Sequence, residues 1–141
     1  MAQLIVIDTC VLISALRSKN GASFKLLSLI DSNKFTFFLS VPLVLEYEAV
    51  AKRMSRSLGL LHSDIEDIIN YLCVIGEHRK VHFLWRPNLK DPSDDFVLEL
   101  AVESECSYIV TYNIKDFKGI ERFNLKAITP QELLRIIGEI T

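Results

Sequence analysis

The sequence has no apolar run approaching the roughly 20 residues that a membrane-spanning helix requires. Its first apolar segment, residues 4–7, ends at an aspartate and lacks the basic lead-in of a secretory signal peptide. Cysteine is scarce, and Cys10, Cys73 and Cys106 form no Cys-x-x-Cys pair, which argues against the disulfide framework of a small secreted domain. We therefore expect a soluble, cytoplasmic protein whose thiols are reduced and buried.

A strong positive charge is also missing. The chain of 141 residues carries 16 Lys and Arg against 18 Asp and Glu, a formal net charge of −2. A domain that binds nucleic acid through its overall charge is thereby excluded, and any such contact requires a local basic patch or a metal ion. Because half of the residues are hydrophobic, residues 1–141 are able to form a single domain with a substantial core.

Strand-like and helix-like segments alternate along the chain. Short apolar or β-branched runs predict strands at residues 4–7, 35–39, 81–85, 108–111 and 125–128. Apolar residues at helical spacing predict helices that begin near residue 10, cover residues 24–30, begin at 42, cover 65–76, begin at 94 and cover 130–140. This alternation indicates an α/β fold with a mostly parallel central sheet that is covered on both sides.

Acidic side chains follow several of the predicted strands. Asp8 comes directly after the first strand, and Glu46 lies about one turn into the helix after the second. Asp94 begins the helix that precedes the fourth strand, and Asn113 and Asp116 follow that strand. All of these positions are able to face the carboxyl edge of a parallel sheet, where binding groups gather. We therefore expect one acidic cluster at this edge.

Such a cluster predicts a metal site. Close carboxylates repel by roughly 4 kcal/mol per pair at an effective dielectric constant of about 20, so a cluster persists when a cation neutralises it. Oxygen ligands without a nearby histidine favour Mg²⁺ or Mn²⁺ over zinc. One or two such ions activate water and neutralise a phosphodiester leaving oxygen. The spacing thus points to phosphodiester hydrolysis.

Each acid taken singly also has a structural explanation. Asp8 and Asp94 occupy N-cap positions, where Asp accepts hydrogen bonds from free amides, and Asp116 suits a turn. Helical periodicity does not distinguish Glu46 from Glu48. Three further acids recur every fourth residue and predict a solvent-exposed stripe, namely Asp95, Glu99 and Glu103.

Five segments in order along nearly the whole chain carry a family resemblance. They are residues 5–9 (IVIDT), 40–47 (SVPLVLEY), 91–101 (DPSDDFVLELA), 109–117 (IVTYNIKDF) and 128–134 (ITPQELL). Together they resemble the PIN-domain nucleases, particularly the small prokaryotic toxins of toxin–antitoxin pairs. The resemblance implies a three-layer α/β/α sandwich, a metal-dependent endoribonuclease that uses Mg²⁺ or Mn²⁺, and single-stranded RNA as its substrate. It also implies a homodimer and, for a toxin, a small protein antitoxin that blocks the site.

The resemblance also assigns roles to individual residues. It implies metal ligands at Asp8, Glu46 and Asp94, which favours Glu46 over Glu48. It implies a fourth acid at Asp116, with Asn113 as a helper at a place where many relatives have Asp. Three residues are expected in supporting roles: Thr111, Asp95 and Asp91. Asp95 is also the alternative to Asp94 if the register differs by one residue.

Local cations are the candidates for RNA contact. Lys52, Arg53 and Arg56 cluster after the Glu46 helix, and Arg17 and Lys19 follow the first helix. Phosphate contact by such groups is salt-sensitive. An ordinary solvated basic surface is the alternative interpretation.

Other functions demand residues that this chain lacks. A response-regulator receiver requires adjacent acids after the first strand, and a haloacid-dehalogenase-type phosphatase requires Asp-x-Asp where Cys10 stands. A non-catalytic PIN-like domain that binds RNA or a protein partner is the stronger alternative, because Asn113 replaces an acid. Metal-dependent cleavage of single-stranded RNA distinguishes it from a nuclease.

Overall fold

A parallel sheet organises the computed structural model, which describes residues 2–81 and 92–141. In the described residues the strand order is β3-β2-β1-β4-β5. The strands are β1 (Gln3–Ile7), β2 (Phe35–Leu39), β3 (Glu77–His78), β4 (Tyr108–Val110) and β5 (Lys126–Ile128). All four neighbouring pairs run parallel. Four strands coincide with predicted ones. The predicted strand at residues 81–85 lies outside the described residues except for Val81, which is not in a strand.

Helices occupy the segments between and after the strands. In the described ranges they are α1 (Thr9–Arg17), α2 (Ala22–Ser28), α3 (Val41–Arg53), α4 (Ser55–Leu58), α5 (His62–Ile75), α6 (Pro92–Glu103) and α7 (Pro130–Ile136), with short 3₁₀ turns at Ile114–Phe117 and Ile120–Phe123. The predicted helices are therefore confirmed, with shifted ends. The helix predicted to reach Ile140 stops at Ile136, because Gly138 adopts a left-handed conformation with φ of 80°.

Both faces of the sheet are covered. Successive side chains of a strand point to opposite faces, and Ile5, Val6 and Ile7 of β1 are all buried. The run 37–39 of β2 is buried in the same way. This pattern is typical of a parallel sheet between two helical layers, and the predicted α/β/α sandwich is confirmed.

The central strand β1 lies where the direction of the chain through the sheet reverses. From β1 the chain proceeds outward to β2 and β3 and then returns to β4 on the opposite side of β1. The backbone N–H of Asp8 donates to the carbonyl oxygen of Val110 at 2.9 Å, which extends the β1–β4 pairing past the end of β1. In open α/β sheets, ligands bind at such a switch point outside the carboxyl ends of the strands.

The α6 helix departs from its predicted exposure. Its side chains Val97, Leu100 and Ala101 are buried, as the apolar face of a helix should be. The solvent-exposed acidic stripe, however, is wrong for two of its three members, because Asp95 is 2% exposed and Glu99 is 3% exposed, whereas Glu103 is exposed. The physical reason is that α6 contacts β1, β2, β4 and also α3, so that more than one of its faces is covered.

The thiols match the expectation only in part. Cys10, Cys73 and Cys106 are all free, but only Cys106 is buried and the other two are half-buried. Burial raises the pKa of the Cys106 thiol to about 12. Within residues 2–81 and 92–141, none of the helices combines the length and apolarity that crossing a membrane demands.

Gly76, directly after α5, is predicted to be intolerant of a side chain. A Cβ atom there would lie 2.7 Å from Leu39 Cδ1 and 2.7 Å from Phe37 Cε2, and both side chains are buried. Gly76→Ala should therefore lower the free energy of unfolding by about 1–3 kcal/mol, measured by urea denaturation. Gly21→Ala is the matched control, since a Cβ there meets nothing within 4 Å. Equal stability of the two variants would contradict the close packing of Gly76 against Phe37 and Leu39 of β2.

Candidate active site

A cavity of about 690 Å³ opens at the carboxyl edge of the sheet, beside α1 and α3. It collects the main residues expected at the acidic cluster: Asp8, Glu46, Asp94, Asn113 and Asp116. These positions are far apart in sequence and meet because β1, β2 and β4 end at the same edge. The volume is within the range of roughly 300–1,000 Å³ that is usual for ligand sites.

Asp8 is the most deeply placed of these acids. It is the N-cap of α1, as predicted, and is 6% exposed. Its Oδ1 accepts a hydrogen bond from the Thr9 backbone N–H at 2.9 Å, and its Oδ2 accepts one from Thr111 Oγ1 at 2.7 Å. Cys10 Sγ lies 3.6 Å from the same Oδ2. The Asp8 carboxylate is therefore held in one orientation by residues from two neighbouring strand ends.

Glu46 approaches Asp8 through an intervening threonine. The Thr9 hydroxyl donates to Glu46 Oε1, and this contact joins the start of α1 to the second turn of α3. The neighbouring Tyr47 is buried and donates its hydroxyl to the carbonyl oxygen of Ile7, which fixes α3 against the end of β1. The predictions above did not include Thr9 or Tyr47. Only the position of Thr9 directly after Asp8 signalled a role.

The remaining predicted residues stand on two other elements. Asp94 lies in the first turn of α6, because this helix begins at Pro92; the predicted N-cap position of Asp94 is therefore wrong. Asp116 lies in the 3₁₀ turn after β4. The backbone N–H of Asn113 donates to Thr111 Oγ1 at 2.9 Å. Thr111 is fully buried and so couples the Asn113 backbone to the Asp8 carboxylate.

The electrostatics of the cavity disfavour an additional negative charge. Burial raises the pKa of Asp8 above its ordinary value of 3.8, and the nearby charge of Glu46 raises it further. The hydrogen bonds from Thr111 and Thr9 act in the opposite direction and lower it. Burial and the charges of Asp8 and Glu46 also raise the pKa of the Tyr47 phenol, which keeps it a hydrogen-bond donor. A cation bound in the cavity would therefore reduce the electrostatic cost of keeping these carboxylates ionised.

The donor set fits a hard cation. Four carboxylates and one amide line the cavity, which offers the oxygen ligands that Mg²⁺ and Mn²⁺ take. In the part of the chain that the structure describes, no three Asp, Glu, His or Cys side chains converge closely enough to form a closed ligand group. The acids thus share one cavity without enclosing an ion on their own. This open arrangement is compatible with Mg²⁺, which usually keeps several waters and takes only one or two carboxylates.

The predicted basic residues separate into two groups. Arg53 lines the cavity, as does Arg17. Lys52 does not; its Nζ lies 2.7 Å from Glu66 and 3.7 Å from Glu48. Arg56 is exposed on α4, outside the lining residues. Of the three candidates after Glu46, only Arg53 therefore lines the same cavity as the acidic residues.

The structure locates one of the two acidic residues expected in supporting roles, Asp95, and that residue does not line the cavity. Asp95 is buried next to Asp94 and is not among the described lining residues. Asp91 lies outside the described residues. Of Asp94 and Asp95, only Asp94 thus lines the cavity, and Asp94 is the residue predicted to be a metal ligand.

Comparison with known proteins identifies the family. A family model described as PIN domain matches residues 4–115, which include β2 to β4, all of β1 except Gln3, and three of the four acidic residues of the cavity. A search of curated proteins finds no match. Among solved structures, the fold is similar to a chain in the crystal structure of VapBC2 from Rickettsia felis bound to a DNA fragment from their promoter. The TM-score is 0.63, the identity is 17%, and the match covers 90% of this chain and 98% of that chain.

The family match covers well over half of the chain and contains four of the residues that line the cavity, Asp8, Glu46, Asp94 and Asn113. PIN domains are generally nucleases, so membership supports hydrolysis of nucleic acid. The fold, the cavity at the switch point and the family model agree: the chain belongs to the PIN domain family.

Proposed function

We propose that this protein is a metal-dependent endoribonuclease that cleaves single-stranded RNA and is the toxin of a toxin–antitoxin pair. The observation that carries the proposal is the single cavity that collects Asp8, Glu46, Asp94 and Asp116 from four separate segments. Four unrelated helix caps or turn formers have no reason to line one cavity, whereas ligands of one metal site do. The family supports the nuclease part of the proposal.

Asp8, Glu46, Asp94 and Asp116 would hold Mg²⁺ or Mn²⁺, with Asn113 as a neutral oxygen ligand beside Asp116. When bound, such an ion lowers the pKa of water and neutralises charge on the phosphodiester oxygens. The protein's own part is to position oxygen atoms. Thr111 and the Thr9 backbone orient the Asp8 carboxylate, and the Thr9 hydroxyl orients Glu46.

The partners in the proposal follow from the family and from the similar solved structure. That structure contains VapBC2 bound to a DNA fragment from their promoter, and together with the resemblance of the sequence to toxins of toxin–antitoxin pairs it supports a small protein antitoxin as a partner of this chain. An antitoxin that covers the cavity would block access to the acids. We further propose a homodimer located in the cytoplasm, where its RNA substrate is found.

A non-catalytic PIN-like domain that binds RNA or a protein is the second candidate. The observation in its favour is that Asn113 offers a neutral amide at the edge of a ligand group that is not closed. The two functions differ in one measurable property, because only the nuclease produces new RNA ends in the presence of Mg²⁺ or Mn²⁺.

Removal of single carboxylates tests the proposed ligands. Asp8→Asn, Glu46→Gln and Asp94→Asn should each lower the rate of Mn²⁺-dependent cleavage of a labelled single-stranded RNA by more than about 100-fold, beyond the loss typical of an outer-shell partner. Glu48→Gln is the matched control on α3. Its carboxylate lies 3.7 Å from Lys52, away from the cavity, so this variant should cleave at the wild-type rate.

Two outcomes would contradict this assignment. Loss of activity in Asp95→Asn but not in Asp94→Asn would show that the register of the third ligand is wrong by one residue. Full activity in all three ligand variants, with cleavage still dependent on the metal, would place the site elsewhere.

Thr111 provides a separate test of the positioning role. Thr111→Val keeps the shape of the side chain but removes the hydrogen bond to Asp8. The affinity for the metal should therefore fall by roughly 10–100-fold. Thr111→Ser keeps the hydroxyl and should retain activity. In EDTA, the pKa of Asp8 should rise further in the valine variant. The pKa of Asp8 is higher in the folded state than its ordinary value of 3.8 in the unfolded chain. Its contribution to stability is therefore fully present below pH 3.8 and is lost as the pH rises through the folded-state pKa.

The valine variant should therefore lose more stability relative to wild type at pH 7 than at pH 3.5, measured by urea denaturation. An equal loss at both values would mean that Thr111 does not interact with an ionised Asp8.

A further inference from the structure

The cavity has a second end, distant from the acids. Its lining residues on α1 recur with helical spacing, and so do those on α3: Cys10, Ile13, Ser14 and Arg17 on one helix, and Glu46, Ala49, Val50 and Arg53 on the other. Residues at i, i+3, i+4 and i+7 share one helical face. Each helix therefore presents one stripe of residues to the cavity, and each stripe ends in an arginine.

The two ends carry opposite charge. The acids lie near the starts of α1, α3 and α6, whereas Arg17 and Arg53 lie in the last turns of α1 and α3. Seven residues of helix separate Glu46 from Arg53, which corresponds to roughly 10 Å along the axis. Between the ends, the lining includes the apolar side chains of Ile13, Val50 and Met54. The cavity is thus acidic at one end, apolar in the middle and basic at the other end.

Both arginines have charge available for a ligand. Arg17 and Arg53 are exposed, and within the described ranges neither forms an ion pair. Lys52, in contrast, is engaged by Glu66 at 2.7 Å. Arginine guanidinium groups match the geometry of phosphate oxygens better than lysine does. Two exposed guanidinium groups at the basic end of the cavity are able to bind a phosphate group of a ligand.

We propose that Arg17 and Arg53 bind the phosphate next to the scissile one, with the intervening nucleoside over the apolar middle of the cavity. This inference rests on the proposed function. The inference adds to the proposed function that the substrate is a strand with at least one phosphodiester next to the bond that is cut. The separation of roughly 10 Å places the arginines beyond the phosphate at the acids. A basic cavity end also provides the local attraction that the net charge of −2 does not.

Binding measured in EDTA separates this proposal from catalysis. The probe is a short, mixed-sequence, single-stranded oligoribonucleotide labelled with fluorescein, titrated at several salt concentrations and followed by anisotropy. Arg17→Gln and Arg53→Gln should each weaken binding by roughly five-fold at low salt. Each should also reduce the slope of log Kd against log salt concentration by about 0.7.

Arg56→Gln is the matched control. Arg56 is also an exposed arginine without an ion pair in the described ranges, three residues beyond Arg53, but it does not line the cavity. The affinity of the Arg56→Gln variant for the oligoribonucleotide should stay within about two-fold of wild type. With Mn²⁺ present, the Arg17 and Arg53 variants should raise KM and leave kcat nearly unchanged, whereas Asp94→Asn should lower kcat.

The possible results identify which proposal fails. Equal weakening by all three arginine substitutions, or none by Arg17→Gln and Arg53→Gln, would overturn the phosphate site and leave the nuclease standing if wild type cleaves RNA. Arginine-dependent binding without any cleavage in Mg²⁺ or Mn²⁺ would support the basic end and overturn the proposed nuclease. A loss of thermal stability that accounts for the weaker binding would show that the arginines serve only their helix ends, and would also overturn the phosphate site.

Discussion

The burial of the Asp8 carboxylate at the end of the central strand is the constraint on which the site depends. Folding leaves this group 6% exposed and compensates it with hydrogen bonds from Thr111 and from the Thr9 backbone. Both partners are available because β1 and β4 are neighbours and Asp8 itself continues their pairing. The sheet order thus determines the orientation of the carboxylate, and Glu46 is held beside it by the Thr9 hydroxyl.

Charge is unevenly distributed in the cavity that contains Asp8. Several carboxylates share one cavity, and burial together with Glu46 raises the pKa of Asp8. A cation at this place would remove an electrostatic penalty that the folded state alone carries. At the far end, Arg17 and Arg53 provide positive charge on a protein that has none in excess. In the proposed function, the acidic end of this cavity would hold the metal ion and the basic end would hold a phosphate of the substrate.

The sequence predicted what depends on local pattern and missed what depends on packing between elements. The apolar runs at β1 and β2, the alternation of strands and helices, and Asp8 as an N-cap are local features, and all were predictable. The burial of Asp95 and Glu99 was not, because it results from α3 and the sheet covering more than one face of α6. Likewise, Lys52 and Arg53 are adjacent in sequence, and only their positions around the helix decide that one pairs with Glu66 and the other faces the cavity.

The most direct test of the acidic site is the melting temperature of the protein with EDTA and with increasing Mn²⁺, which requires no substrate. If the carboxylates converge on one ion, wild type should gain stability as RT ln(1 + [Mn²⁺]/Kd). Asp94→Asn should slightly raise the melting temperature in EDTA and reduce the gain from Mn²⁺, while Glu103→Gln, at an exposed position of the same helix, should behave as wild type. A wild-type melting temperature that does not respond to millimolar Mn²⁺ would contradict the account.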